Sequence, residues 1–220
     1  FPSITLARVL GMFCGMGYSP AAATILALLC TECPRRTVEY AGTTYHVATG
    51  PRALPQGACT SPALSNRAAR KLDARLSGLA GRLGWTYTRY ADDATFSASG
   101  EPARSVGYLL ARVRHISQDE GFAVNEKKTR VLRQNTAQLV TGIVVNRRPA
   151  APRKLVRRLR AILHRAQSEG LAAQNRRGLP NFDAWLGGMV AYVAMVNPEQ
   201  GRSLQSKLAA VRGRAPGSPR

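Results

Sequence analysis

The chain has 220 residues and a net charge of +20, from 32 Lys and Arg against 12 Asp and Glu. This length allows one well-packed domain, or one domain with an appendage. The positive charge is uneven, because residues 147–220 alone carry a net +12. Such a charge favours polyanions such as nucleic acids, although a ribosome-associated or merely basic protein would share this composition.

Cysteine content and hydropathy exclude further classes of protein. Four cysteines are too few for a disulfide framework in a chain of this size. Cys30 and Cys33 have CxxC spacing, but no second pair completes a zinc site. The longest apolar run, 21–30, is too short to span a bilayer, and no secretory signal is visible. We therefore expect a cytoplasmic protein with reduced thiols and no membrane association.

Apolar periodicity and turn signals predict a mixture of helices and strands in the first two thirds of the chain. In chain order, we expect helices over 4–15 and 21–29, a hairpin over 37–47, a helix over 61–83, a hairpin over 85–97, a helix over 102–119, and short strands near 122–124, 130–132 and 138–145. Elements in this order favour an α+β fold, with helices packed behind an antiparallel sheet.

The composition changes after a Pro-containing break over 146–152. Beyond this break the chain is basic, and its periodicity predicts helices over 153–169, 183–196 and 199–212. The Pro/Gly-rich tail over 214–220 is expected to be disordered.

Two adjacent carboxylates, Asp92 and Asp93, occur at the predicted tip of the second hairpin. The centre of a two-residue turn needs a positive φ, which Asp tolerates better than most residues. Hard divalent cations prefer oxygen ligands, and carboxylates hold the paired ions of phosphoryl-transfer sites. Taken alone, however, residues 90–93 are better explained as a solvated turn without a chemical role.

Other motifs surround this turn in a specific order. They are LPQG at 54–57, SP at 61–62, YADD at 90–93, NEKKT at 125–129 and VTG at 140–142. In this order they resemble the palm motifs of bacterial reverse transcriptases, closest to the retron branch, and the resemblance covers nearly the whole chain. It implies a polymerase palm over 1–148, lacking the fingers and the start of its first motif, and a helical thumb over 149–213.

The resemblance implies that the Asp-Asp turn is the catalytic centre of an RNA-directed DNA polymerase. Asp92 is expected to bind Mg²⁺ directly, with Mn²⁺ as an alternative ion, and Asp93 to ligate less directly or to act electrostatically. Two ions would lower the pKa of the primer 3′-hydroxyl and neutralise the leaving pyrophosphate. The implied partners are an RNA template and primer, the RNA–DNA duplex product, dNTPs and, for a retron enzyme, a cognate structured RNA.

The resemblance also implies contacts with the nucleotide and the primer. Phe1 matches the aromatic residue that excludes the 2′-hydroxyl of an incoming nucleotide. Gln56 and Gly57 match the loop beside that nucleotide, and Lys128 matches a lysine near the triphosphate. The expected primer or template contacts are Tyr90, Thr141, Gly142, Arg153, Arg157 and Arg160. The alternative interpretations are a core aromatic for Phe1, a simple turn for Gln56 and Gly57, and solvated cations for Lys128 and the three arginines.

One metal ligand is missing from this set. Two adjacent Asp residues cannot by themselves hold two ions, and the remaining acids offer no good replacement; they include Asp73, Asp119, Glu120 and Asp183. Phe1 and the three residues after it resemble the end of the family's first palm motif, whose Asp would precede residue 1. We therefore expect a fragment truncated within that motif, which would be inactive as a polymerase.

Three functional hypotheses remain open. The leading one is a retron-type reverse transcriptase, for which a role in phage defence rests on family analogy alone. The second is a non-catalytic remnant that binds RNA in a salt-sensitive way and incorporates no nucleotide. The third is a group II intron-like or other bacterial reverse transcriptase, which would share the motifs but use a different RNA partner.

Overall fold

The computed structural model describes residues 1–213, which form two compact units. The first unit is Phe1–Thr129, and the second begins at Arg130. The palm–thumb boundary predicted between residues 148 and 149 is a functional division, and it stays a prediction. The tail predicted over 214–220 lies outside the described residues.

The first unit contains most of the strand structure. Its elements are α1 (Leu6–Cys14), α2 (Pro20–Cys30), β1 (Arg35–Tyr40), β2 (Thr43–Ala48), α3 (Ser61–Ala68), α4 (Arg70–Arg82), β3 (Thr86–Tyr90), β4 (Asp93–Ser97), the 3-10 helix η1 (Glu101–Ser105) and α5 (Val106–Asp119). The second unit is mainly helical. Its elements are β5 (Leu139–Val140), β6 (Ile143–Val144), α6 (Arg153–Glu169), the 3-10 helix η2 (Ala172–Gln174), α7 (Phe182–Val196) and α8 (Pro198–Arg212).

The predicted α+β class is confirmed, but the strands form no continuous sheet. Each strand pairs antiparallel with its hairpin partner and with no other strand, so residues 1–213 contain three separate two-stranded sheets. The strands expected over 122–124 and 130–132 are absent. Phe122 and Val124 instead pack against a helical core, which explains their alternating apolar pattern without strand pairing. No helix within residues 1–213 is long and apolar enough to cross a membrane.

The single helix predicted over 61–83 is two helices, because the chain turns at Ala69. This residue has ψ −3°, away from the ψ of about −42° that continues an α-helix. The turn lets the two helices enter different cores. Leu64 of α3 packs with a cluster around Val9 and Leu54, whereas Leu76 of α4 packs with a cluster from α5.

The β3–β4 hairpin packs one face on α4 and α5. Tyr87 and Phe96 are directly opposite each other in the strand register, and their ring centroids are 5.0 Å apart. Both rings contact the cluster that includes Leu76 and Leu109. Along β3 the inward positions alternate with exposed ones, so Arg89 falls on the same inward face as Tyr87.

Arg89 connects the end of this hairpin to helices α3 and α4. Its Nε donates to Asp73 Oδ1 and its Nη2 to Asp73 Oδ2, each at 2.7 Å. Its Nη1 donates to the carbonyl oxygen of Ala91 at 2.7 Å and to Asn66 Oδ1 at 3.1 Å. The Tyr87 hydroxyl donates to Asp73 Oδ1 at 2.8 Å. We call these five residues the Asp73–Arg89 clamp, because they attach the hairpin tip to two helices by bidentate, charge-assisted hydrogen bonds.

The clamp changes the acidity of its members. Hydrogen bonds from Arg89 hold the pKa of Asp73 below its ordinary value, against the smaller opposing effect of burial. Burial, followed by the hydrogen bond to Asp73, raises the pKa of Tyr87 well above its ordinary value. Asp73 is therefore ionised and Tyr87 neutral at physiological pH, which is the combination that these hydrogen bonds require.

In the second unit, α6, α7 and α8 surround one apolar core. Its fully buried members include Leu159, Leu163, Leu186, Val193 and Leu204. Helices α7 and α8 approach each other closely at Gly201, where an added Cβ atom would clash with the backbone of Ala194. At the other end of α8, Arg212 bonds both carboxylate oxygens of Asp183, at 2.9 and 3.0 Å.

We expect Arg89→Ala to lower the free energy of unfolding by about 1–3 kcal/mol, because it leaves the partly buried Asp73 carboxylate with Tyr87 as its single donor. Arg104→Ala is the matched control, since the ion pair between Arg104 and Glu101 is mostly exposed. This variant should lower the free energy of unfolding much less. Urea unfolding followed by tryptophan fluorescence measures both values. Equal losses in the two variants would contradict a stabilising role for the clamp.

The clamp should also make stability depend on pH. Since the pKa of Asp73 is lower in the folded than in the unfolded chain, its contribution is present above the ordinary value of 3.8 and disappears as the pH falls through the folded value. We expect Asp73→Asn to have a lower free energy of unfolding than the wild type at pH 7. The difference between the two free energies should become smaller below about pH 4. Urea unfolding at several pH values measures the difference. If the difference in the free energy of unfolding stayed constant down to pH 3, the ionised Asp73 carboxylate would not be the source of the stabilisation.

Candidate active site

The turn between β3 and β4 presents Asp92 and Asp93 at the end of the hairpin. The expectation that Asp takes the positive φ of this turn is wrong: the left-handed residue is Ala91, with φ 51°. A left-handed conformation costs a residue with a Cβ about 1–2 kcal/mol. The hydrogen bond from Arg89 Nη1 to the Ala91 carbonyl offsets part of that cost and holds the turn in place.

The carboxylates of Asp92 and Asp93 are exposed and have no partner. Neither accepts a hydrogen bond or ion pair from any residue within 1–213. Tyr90 lies opposite Asp93 in the strand register, and 72% of its surface is exposed. The turn therefore offers two free carboxylates beside an exposed aromatic ring, on a support whose backbone is held by the clamp.

These carboxylates have the right donor chemistry for Mg²⁺ but are too few for a complete two-metal site. Hard cations take oxygen ligands, and ionised Asp supplies them. However, residues 1–213 contain no cluster of three His, Cys, Asp or Glu side chains that could hold a metal ion. Within residues 1–213, the turn thus supplies two carboxylates that suit a cation but no complete metal site.

Four other acidic residues are poor candidates for a third metal ligand by their sequence positions, and all four form ion pairs with arginines. Asp73 is bound by Arg89. Asp119 and Glu120 both bind Arg75, each at 2.8 Å. In the second unit, Asp183 is bound by Arg212. These ion pairs explain why none of the four is available as a metal ligand.

The structure brings the segment that begins with Phe1 next to the loop that contains Gln56 and Gly57. The backbone N–H of Leu54 donates to the Ile4 carbonyl at 3.1 Å, and Pro2 lines the same cavity as Gln56. Phe1 is 38% exposed. The loop is held by a hydrogen bond from the buried Ser61 hydroxyl to the Pro55 carbonyl at 2.7 Å.

Gly57 has a structural reason to be glycine at this position. Its φ is +91°, which residues with a Cβ rarely adopt, and apart from Gly57 and its two chain neighbours no atom of residues 1–213 lies within 4 Å of where a Cβ would be. The backbone at Gly57 is therefore open on that side. A ligand could approach the peptide closely there.

Lys128 lies in a turn after α5 and has no acidic partner among residues 1–213. Its backbone N–H donates to the Asn125 carbonyl at 3.0 Å. The neighbouring Glu126 is bound to Arg114 at 2.6 and 2.9 Å, which ties this turn to α5. The Lys128 ammonium is consequently an exposed point charge on a braced turn.

The remaining predicted contacts lie in the second unit. Thr141 and Gly142 form the β5–β6 turn with φ values of 47° and 89°. The Gly142 carbonyl accepts a hydrogen bond from the Tyr192 hydroxyl at 2.9 Å, so this turn is attached to α7. Both turn residues are exposed.

Arg153, Arg157 and Arg160 are exposed along one side of α6. The opposite side of this helix is buried and includes Val156 and Leu159. None of the three arginines has an acidic partner within residues 1–213. This side of α6 is therefore a row of free cations with the spacing that one helix face requires.

The sequence did not lead us to predict that Asp73 and Arg89 hold the turn that carries Asp92 and Asp93. A signal was present, since Arg89 occupies an inward position of a strand that otherwise buries aromatic side chains. A cation at such a position needs a carboxylate partner, but the identity of that partner depends on how α4 packs against the hairpin.

Comparison with known proteins agrees with the motif order. The sequence profile of the family "Reverse transcriptase (RNA-dependent DNA polymerase)" matches residues 14–166. The chain is 45% identical over 233 residues to the Retron Mx162 reverse transcriptase and 47% identical over 205 residues to the Retron Mx65 reverse transcriptase, both from Myxococcus xanthus. It is 33% identical over 167 residues to the Retron Ec86 reverse transcriptase from Escherichia coli.

These matches cover 100%, 93% and 74% of this chain, respectively. They cover only 47%, 46% and 45% of the three relatives, so the chain spans about half the length of the curated relatives that it matches. The family profile alone covers well over half of the chain, including the Asp92–Asp93 turn. The chain therefore belongs to the reverse transcriptase family.

Proposed function

We propose that this chain is part of a retron-type RNA-directed DNA polymerase, which adds dNTPs to a primer 3′-end on an RNA template. The observation that carries the proposal is the pair of unpartnered carboxylates, Asp92 and Asp93, on a turn braced by the Asp73–Arg89 clamp. Membership of the reverse transcriptase family and similarity to retron enzymes support it. The same similarity is the reason to extend the proposal to a cognate structured RNA and to phage defence.

In this proposal the two carboxylates act together with an acid from outside residues 1–213. Bound Mg²⁺ would supply the electrostatic stabilisation that phosphoryl transfer needs. Asp92 would be a direct ligand, and Asp93 would ligate less directly or act through its charge. Because the described residues contain no cluster of three side chains that could hold a metal ion, we propose that they do not form a competent polymerase by themselves.

The other residues of the first unit would orient the substrates. Phe1 would exclude a 2′-hydroxyl, while the open backbone at Gly57 and the amide of Gln56 would lie against the incoming nucleotide. Lys128 is an exposed cation without a partner, which suits contact with a triphosphate. Tyr90 would contact the primer terminus, since it is exposed beside the carboxylates.

The second unit would bind the template–primer duplex. Its free cations on α6 suit phosphate contacts, which give affinity without sequence preference. Thr141 and Gly142 would contact the primer from a turn that is held by Tyr192. This assignment corresponds to the thumb of the family.

We expect Asp92→Ala in the full-length protein to abolish Mg²⁺-dependent cDNA synthesis on a primed RNA template. Losing a direct metal ligand should lower the rate by at least about a hundredfold, because the electrostatic stabilisation of the transferring phosphate is lost. Glu101→Ala is the matched control, since Glu101 is exposed and its one ion pair within residues 1–213 is with Arg104. Incorporation of labelled dNTPs measures both variants, and full activity of Asp92→Ala would refute the metal assignment.

RNA binding by the 220-residue chain should weaken steeply with salt. Removing Arg157 and Arg160 together by substitution with Ala should reduce the slope of log affinity against log salt by about 2, since each phosphate contact contributes about one unit. Arg202→Ala with Lys207→Ala removes equal charge from exposed positions on α8 and should change the slope less. Fluorescence anisotropy at several salt concentrations measures the slopes. The same slope change in both variants would contradict specific phosphate contacts on α6.

A second candidate function is RNA binding without catalysis. It is favoured by the lack of a third acidic ligand near Asp92 and Asp93 among residues 1–213. The cDNA assay separates the two candidates, because a non-catalytic protein incorporates no nucleotide even when full length. Salt-sensitive binding would then remain as its measurable activity.

A further inference from the structure

The second unit contains a cavity that none of the sites described above uses. It lies between α6, the segment after η2 and the start of α7, and its volume is about 190 Å³. Ile162, Leu179 and Phe182 form its apolar part. Since pockets for drug-sized ligands span about 300–1,000 Å³, this α6–α7 pocket fits a smaller group.

Four arginines, which none of the proposed contacts includes, line the same pocket. They are Arg158, Arg165, Arg176 and Arg177, and all four are exposed. None of them forms an ion pair within residues 1–213. The Arg158 guanidinium lies 5.2 Å from the centre of the Trp185 ring, which keeps this cation at the pocket wall. Several unpaired guanidinium groups around one pocket favour the binding of an anionic partner.

The loop side of the pocket is built by hydrogen bonds. The Asn175 side chain donates to the Leu179 carbonyl at 2.8 Å and accepts from the Leu179 N–H at 2.9 Å. These two bonds close the loop that carries Arg176 and Arg177. The loop is thus preorganised, which lowers the entropic cost of binding.

Gln174 adds a polar group with a free acceptor. It lines the pocket and is only 6% exposed. Its Nε2 donates to Glu169 Oε2 at 2.6 Å, so the Glu169 carboxylate is engaged by the amide. Its Oε1 accepts no hydrogen bond from residues 1–213 and is available to a donor in the pocket.

We propose that the α6–α7 pocket binds one unpaired nucleotide of the RNA partner. The base would occupy the apolar part beside Phe182, and an amino group on the base could donate to Gln174 Oε1. The phosphates on either side would contact Arg165, Arg176 and Arg177. Protein recognition of single-stranded RNA commonly uses this combination of apolar contact, edge hydrogen bonding and phosphate contact.

This inference rests on the proposed function in that RNA is the partner, but it makes a distinct prediction. Phosphate contacts along α6 should not distinguish a perfect duplex from one with an unpaired nucleotide. A pocket for a single base should distinguish them, because a paired base is not free to enter it. The protein should therefore prefer RNA that contains an unpaired nucleotide.

The test uses two labelled RNA hairpins that are identical except that one contains a bulged adenosine. Fluorescence anisotropy measures the affinity of the 220-residue chain for each hairpin. We expect the wild type to bind the bulged hairpin about tenfold more tightly, as contact with one base commonly gives. Ala161→Phe should abolish this preference, because Ala161 lines the pocket at an exposed helix position and the larger side chain fills it without changing the charge.

Two double variants test the arginines. Arg176→Ala with Arg177→Ala should lose the preference, while the control Arg202→Ala with Lys207→Ala should retain it and weaken binding to both hairpins alike. If the preference persists in Ala161→Phe, the base binds elsewhere and the proposal is overturned. Equal effects of the two double variants would also overturn it, since the arginines would then contribute only general attraction.

Two further outcomes separate a failure of this inference from a failure of the proposed function. Tight binding of both hairpins without preference would contradict this inference alone. Failure of the wild type to bind either hairpin would contradict the proposed function as well.

Discussion

The bidentate pair between Asp73 and Arg89 is the interaction on which the candidate active site depends. It joins α4 to β3, and through Nη1 of Arg89 it reaches the backbone of the turn itself. The turn has one residue, Ala91, in a left-handed conformation that a Cβ makes costly. A charged hydrogen bond to its carbonyl offsets part of this cost, so Asp92 and Asp93 can end the hairpin without a partner among residues 1–213.

Charge pairing divides the acidic residues into two classes. Six of the 12 acids form ion pairs with arginines, among them Asp73, Asp119 and Asp183. These pairs connect helices and turns within each unit, whereas Asp92 and Asp93 stay free. The large excess of arginine leaves many cations unpaired as well, on α6 and around the α6–α7 pocket. The same excess that makes the chain basic thus supplies both its internal ion pairs and the unpaired cations of the surfaces proposed to bind anions.

Secondary structure was predictable where one periodicity dominated. Helix α6 was predicted with its observed bounds, since a buried stripe that includes Leu159 and Leu163 alternates with exposed arginines. The helix over 61–83 was predicted too long, because its apolar spacing continues through Ala69 although α3 and α4 enter different cores. The alternation at Phe122 and Val124 suggested a strand but reflects packing against helices, which no local pattern reveals.

The sequence by itself determined the family, through the order and spacing of its motifs, and it located the acidic turn and the basic face of α6. Those features are local, because a hairpin tip and a helix face follow from neighbouring residues. Only the tertiary structure decided which acids are free and which are paired, since Asp73 meets Arg89 across 16 positions of the chain. The α6–α7 pocket likewise exists only because α6, η2 and α7 pack together, which brings Arg158 and Arg176 to one cavity.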